Sequence, residues 1–253
     1  MCFAFVAIVI IAAVKLCFVT LIKIPGDGEQ PVFFAGDRVS LVRTAYGLRL
    51  SPMSWWGYVR IAPKRVSRGD YIAFNNPTDG CHATTAVDRR DIFIGRCEAV
   101  PGDSLWIDST SFIRPENNKI DAKFTMHLTK PQGNIRSKMV TLPRKNELTA
   151  ITPDNIQWYC HIINLHEGVK AKIIHDSLII NGCYTPAFRF LYDYYWMSSA
   201  DKHNKADSRA FGFVPDAYII GRLRRIVFSW NHNAPWYARL RTKRILKKVE
   251  HPQ

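Results

Sequence analysis

The densest run of reactive side chains lies in residues 198–209, where Asp201, Lys202, His203, Asn204, Lys205, Asp207, Ser208 and Arg209 crowd together. A polar loop held between apolar segments is where a scaffold commonly carries its chemistry. Asp207 and Arg209 flank Ser208, a spacing that suits a carboxylate–guanidinium pair set beneath a site. In a strand, the same two-residue spacing simply puts both charges on one face, so a structural pair reads equally well. An apolar stretch follows at once, broken by Gly212, Pro215 and Gly221 and ending at Arg222.

The elements that must position this loop read mainly as strands. Gly36-Asp37, Gly69-Asp70 and Pro101-Gly102-Asp103 each make a turn into a short strand, at 38–43, 71–74 and 104–107. A strand at 176–180 ends on the turn pair Asn181-Gly182, and a final strand occupies 223–230. Residues 108–190 differ, with Pro115, Pro131, Pro143 and Pro153 marking loops. One short helix is expected there, with Thr152 as N-cap, Pro153 at its first position and Gly168 closing it. The expected fold is mainly β, with 108–190 as an inserted, loop-rich α+β region. The chain then divides into an apolar segment at 1–24, a β core at 25–107 and 191–232, the insertion, and a basic tail at 233–253.

Composition narrows the partners. The chain has 253 residues and a net charge of +14, and nine of its Lys and Arg lie between Arg222 and Lys248 with no Asp or Glu among them. The basic excess is therefore concentrated at one end, as for a tail that lies on anionic lipid. Residues 2–22 are apolar apart from Lys15 and Thr20, and about 20 such residues suffice for a membrane-crossing helix. A cleaved signal peptide fits less well, because no basic region precedes the run and no small-residue cleavage site precedes Pro25. The reading is a retained membrane anchor, with lipid rather than nucleic acid as the tail's partner. Trp55-Trp56 fits either a headgroup contact or a cap on the core.

The six cysteines include no pair at zinc spacing, so neither a metal nor another cofactor is expected. A hairpin turning near Arg89 would set Cys81 opposite Cys97, where a disulfide could form in an oxidising compartment.

The order of these features resembles the type I signal peptidases, the S26 serine proteases, and in particular a Bacteroidetes-like form. The long motif carries the resemblance: in SADKHNKADSRAFGFVPDAYIIGR, residues Asp207, Ser208, Arg209, Gly212, Val214, Pro215, Ile219 and Gly221 fall in place. The likeness implies a signal-peptidase-like β scaffold with one N-terminal transmembrane helix. It also implies a single-pass protein of the cytoplasmic membrane, with the β domain on the periplasmic side.

The family's chemistry rests on a serine nucleophile eight residues before the first Gly-Asp turn. A lysine six residues before Pro-Gly-Asp serves as general base, kept neutral by desolvation. Counted the same way, these positions are Gly28, with Pro31 where the motif's proline belongs, and Gly95. The motif also departs at Ser199, Ala200 and Lys205, whereas its half from Asp207 onward is kept. The resemblance therefore implies a pseudoprotease braced by Asp207, Ser208 and Arg209. It would bind signal peptides or partner an active paralogue. Phe33, Phe34, Phe93 and Ile94 are the candidates to line a peptide groove, with plain core packing the equal alternative for each. The other reading is an active signal peptidase that uses a relocated Ser199/Lys205 pair.

Overall fold

The computed structural model describes residues 19–24, 26, 30–50, 59–78, 90–108, 113–114, 119–120, 126–127, 137–199 and 207–249. Among them, strands dominate and helices are few. The first half of the chain holds β1 (Val19–Lys23), β2 (Asp37–Val42), β3 (Leu48–Leu50), β4 (Val59–Ile61), β5 (Tyr71–Asn75), β6 (Ile92–Ala99) and β7 (Ser104–Asp108). Three short strands follow, β8 (Ile113–Arg114), β9 (Lys119–Ile120) and β10 (Met126–His127), then β11 (Ser137–Thr141) and β12 (Leu148–Ala150). Helix α1 (Ile156–His166) precedes β13 (Ala171–Ile174), β14 (Ser177–Ile180), β15 (Cys183–Tyr184), β16 (Ala187–Arg189) and β17 (Tyr194–Ser198). The chain closes through α2 (Ser208–Phe211), β18 (Val214–Pro215), a 3-10 turn (Asp216–Tyr218), the long β19 (Ile219–Ser229) and β20 (Lys247–Lys248).

One antiparallel sheet, in the order β1-β2-β19-β5-β6-β17-β18, organises the molecule, and β20 also pairs with β19. It curls because β19 changes register three times as it passes from β5 to β2. Strand β5 is buried at every position. Its alternation sends Ile72 and Phe74 into one core and Tyr71 and Ala73 into another. Strand β17 divides in the same way: Tyr195 and Met197 join the Ile72 core, while Tyr194 and Trp196 face α1 and a third core.

The three Gly-Asp turns share one construction. Gly36, Gly69 and Gly102 all adopt positive φ, of 87°, 83° and 90°. The aspartate that follows each folds its carboxylate back onto the amide three residues earlier, at Phe34, Ser67 and Val100 (3.0, 3.2 and 2.8 Å). A Cβ on Gly36 would also collide with the Trp230 carbonyl, so glycine is needed there for space as well as for φ. Each carboxylate then meets an arginine: Asp37 meets Arg244, Asp70 meets Arg222, and Asp103 meets Arg68.

Several expectations are corrected. Val19–Lys23, counted in the apolar segment, is the edge strand β1 paired along its length with β2. The rest of that segment lies outside the described residues, and no described helix is long and apolar enough to cross a membrane. Helix α1 starts at Ile156, with Asn155 as N-cap rather than Thr152. The Thr152 amide instead donates to Asn155 Oδ1 at 2.8 Å, closing a turn ahead of the helix. Gly168, at φ 69°, stands just past the helix end. The β5–β6 register pairs Tyr71 with Arg96 and Asn75 with Ile92, so the hairpin turns earlier than Arg89. Cys97 consequently lies across from Asp70, whose carbonyl accepts its amide at 2.9 Å, and its thiol is free. The expected disulfide is therefore absent; Cys81 lies outside the described residues. Finally, the basic C-terminal segment packs back on the core: Arg244 reaches Asp37, and Val249 is buried.

Candidate active site

Asp207 is fully buried and organises locally the half of the motif that matches the family pattern. It caps α2 by accepting the Arg209 amide at 2.9 Å, the usual service of an aspartate at a helix start. Its other oxygen takes the Arg209 Nε at 2.7 Å, a Nη2 contact from the same guanidinium, and the Ser199 amide at 3.1 Å. Arg209 Nη2 in turn reaches the Ser199 carbonyl at 3.2 Å. Ser208 Oγ accepts the Met197 amide at 2.9 Å. The three residues thus fix the backbone at the end of β17 at three groups, the Met197 amide and the Ser199 amide and carbonyl. A desolvated charge pair of this kind holds geometry rather than performs proton transfer, since its partners are backbone amides and carbonyls.

Gly95 sits on β6 directly beside this brace. Strand β6 pairs with β17 as far as Arg96 and Ser198, one residue from Gly95 and one from Ser199. The space for a Cβ at Gly95 is tight. A Cβ there would lie 3.1 Å from the Ser198 carbonyl, 3.3 Å from Phe74 and 3.4 Å from Met197. Behind them, Phe93 stacks on Phe211 at 6.1 Å, and Phe74 meets both rings nearly edge-on. Glycine has no side-chain group to donate or accept a proton, and even a Cβ here would need its neighbours to shift by a few tenths of an ångström.

Ser199 is 6% exposed, its amide and carbonyl held as described above. Ser198 turns its hydroxyl to Glu98 at 2.8 Å, and Arg96 joins the same carboxylate at 3.2 Å. Glu98 was not singled out from the sequence, because nothing in its spacing marks it. Gly28 and Lys205 lie outside the described residues, as do Trp55 and Trp56.

The four groove candidates do not share one surface. Phe93 and Ile94, as neighbours on a strand, face opposite sides: Phe93 packs in the core with Phe74, and Ile94 packs in the core with Tyr71. Phe33 is fully buried, edge-on to Tyr71 at 5.2 Å. Phe34 turns the other way and lies under the guanidinium groups of Arg244 and Arg241, at 4.4 and 5.4 Å.

A separate cavity of about 190 Å³ opens on the same core, walled by Tyr46, Val66 and Tyr195, with Arg60, Asp193 and Asp216 at its polar side. Arg60 is spent on backbone, reaching the carbonyls of Ile219 at 2.6 Å and Asp216 at 3.2 Å. Burial, then the neighbouring Asp193 charge, pushes the Asp216 carboxyl up to about 6. The Cys97 thiol is likewise pushed up, by burial first and then by Asp70.

Comparison with known proteins follows the same lines. A family profile described as signal peptidase, peptidase S26, matches residues 1–230. Similar relatives include the Signal peptidase I of Buchnera aphidicola subsp. Acyrthosiphon pisum (strain APS), 22% identical over 245 residues, covering 88% of this chain and 73% of the relative. A second is the Signal peptidase I of Buchnera aphidicola subsp. Schizaphis graminum (strain Sg), 24% identical over 240 residues, with 88% and 72% covered.

Proposed function

The chain belongs to the S26 signal peptidase family, and on that premise we propose that it is a membrane-anchored signal peptidase I homologue that has lost hydrolysis. It retains the family scaffold as a binder of signal peptides or as a partner of an active paralogue. The observation that carries this reading is Gly95. The family motif's spacing sets the general base at this position, and the crowding of a Cβ there by the Ser198 carbonyl, Phe74 and Met197 supports the reading. A serine hydroxyl without a base to take its proton is a poor nucleophile at neutral pH. The Bacteroidetes-like character of the motif and the glycine at position 28 belong to the same proposal. So do an anchor in the apolar residues before Val19, a lipid-facing role for the basic C-terminal segment, and a periplasmic β domain.

The test is cleavage of a signal-peptide substrate by the full chain in detergent. No cleavage is the expected result. Turnover that disappears on Ser199→Ala or Lys205→Ala would overturn the proposal and favour the relocated pair. One observation favours that second reading: Ser199 directly follows Ser198, whose carbonyl crowds Gly95, and its backbone is fixed by Asp207 and Arg209. Against it, a nucleophile moved by even an ångström from the oxyanion donors loses orders of magnitude in rate.

A further inference from the structure

Helix α1 carries two histidines that the family's chemistry does not use, one buried and one half-buried. His161 is 5% exposed, and its Nε2 lies 3.3 Å from the Phe211 carbonyl. Phe211 ends α2, the helix that Asp207 caps, and its ring stacks on Phe93. His166, at the last turn of α1, has both ring nitrogens buried, and neither has a hydrogen-bond partner among the described residues. Its ring rests against Tyr218 at 5.2 Å and Tyr194 at 6.1 Å. A buried polar group without a partner is uncommon and calls for an account.

We propose that α1 is an acid-released brace: protonation of His166 frees the C-terminal end of α1 from Tyr194 and Tyr218 and, with the helix loosened, weakens the His161 contact to Phe211 that backs the floor beside Gly95. The proposal is independent of whether that floor supports catalysis or only binding.

Among the described residues, the groups facing His166 offer a cation no partner. On its own helix, Glu167 is occupied, accepting the Tyr194 hydroxyl at 2.7 Å and the Leu191 amide at 2.8 Å. From the 3-10 turn comes the Tyr218 ring, and Tyr194 projects from β17. At the foot of β6, Arg90 lies over Tyr218 and donates to its hydroxyl at 3.2 Å, adding a like charge. Burial, then the charges of His161 and Arg90, holds His166 down to about 3, and burial holds His161 down to about 4. Both values lie below that of a free imidazole, so the braced state prefers neutral rings. The brace is at full strength above about pH 6.5 and weakens as pH falls toward those values. Linkage gives an increase in the released fraction on the order of 20-fold for His166 between pH 7 and pH 5.

Native-state hydrogen exchange of the full chain in detergent micelles, corrected for intrinsic exchange rates, tests this. Amides of α1 are expected to open at least tenfold more often at pH 5 than at pH 7, roughly the linkage figure for one histidine. Those of β5 and β6 should keep their protection. His166→Phe, which fills the same space without a charge, should lose most of that response. Unchanged α1 protection, parallel loss in β5 and β6, or a full response in His166→Phe would each overturn the proposal. Should that variant not fold, the wild-type ring resonances decide alone. His166 staying neutral below pH 5 supports the brace, and titration near 6.5 refutes it.

Discussion

The Arg244 guanidinium lies 2.6 Å from the fully buried carboxylate of Asp37, 207 residues earlier in the chain. Arg241 approaches the same carboxylate at 3.9 Å, and Arg244 also donates to the Val32 carbonyl at 2.7 Å. Removing one partner of a buried pair leaves the other charged and dry. Arg244→Met is therefore expected to destabilise the fold by roughly 3 kcal/mol, measured by urea unfolding. Lys243→Met, on an exposed neighbour, should change it by less than about 0.5 kcal/mol. Equal effects from both would show that Arg244 acts only as general surface charge.

Gly95 gives a second expectation. Its Cβ space is bounded by backbone at Ser198 and by the interlocked rings of Phe74 and Phe93. Gly95→Ala should cost about 1–3 kcal/mol as the neighbours shift, and Gly95→Lys more. The double change Gly28→Ser with Gly95→Lys should yield a destabilised protein with no peptidase activity. Recovery of signal-peptide cleavage in that variant would mean that the site still opens around a lysine.

Cysteine labelling separates the thiols. In native protein, an alkylating reagent should modify the exposed Cys183 and spare Cys97 and Cys160, both buried with thiols held protonated by burial. In urea without reductant all three should react, as read by peptide mass mapping. Cys97 protected from reagent in urea would reinstate a disulfide.

Asp216 should make stability fall as pH rises. Its folded carboxyl titrates at about 6, above its ordinary value of 3.8, so the folded state favours the protonated form. That contribution is complete below about pH 4 and is lost as pH climbs through 6. Asp216→Asn should therefore stabilise the protein at pH 7.5 by up to about 2 kcal/mol and change little at pH 4. A variant equally destabilised at both pH values would place the carboxylate in a structural role instead.

The strands behind Gly36, Gly69 and Gly102 were legible because a left-handed glycine followed by an aspartate is local chemistry. The same holds for the turn at Asn181 and Gly182, at φ 51° and 84°. The partners of those aspartates were not legible, since nothing near Asp37 names Arg244 and nothing near Asp70 names Arg222. Misjudging the β5–β6 turn moved Cys97 from Asp70 to Cys81, which shows how a register depends on the turn rather than on the strands. The Asp207–Ser208–Arg209 brace was anticipated as a pair; its grip on Met197 and Ser199 required the fold. Phe33, Phe34, Phe93 and Ile94 were grouped by chain proximity, and strand alternation separates them.

Strand β19 has a consequence for synthesis. It supplies the pairing edge for β2 on one side and β5 on the other, so the N-terminal strands have no sheet to complete until it exists. A ribosome delivers β1 and β2 first and β19 almost last, and β20 and Arg244 later still. The central sheet must therefore assemble after most of the chain has emerged, through contacts of long sequence separation that close slowly. Until then the apolar faces of β1 and β2 are uncovered, and any factor that shields a nascent chain has that interval in which to act.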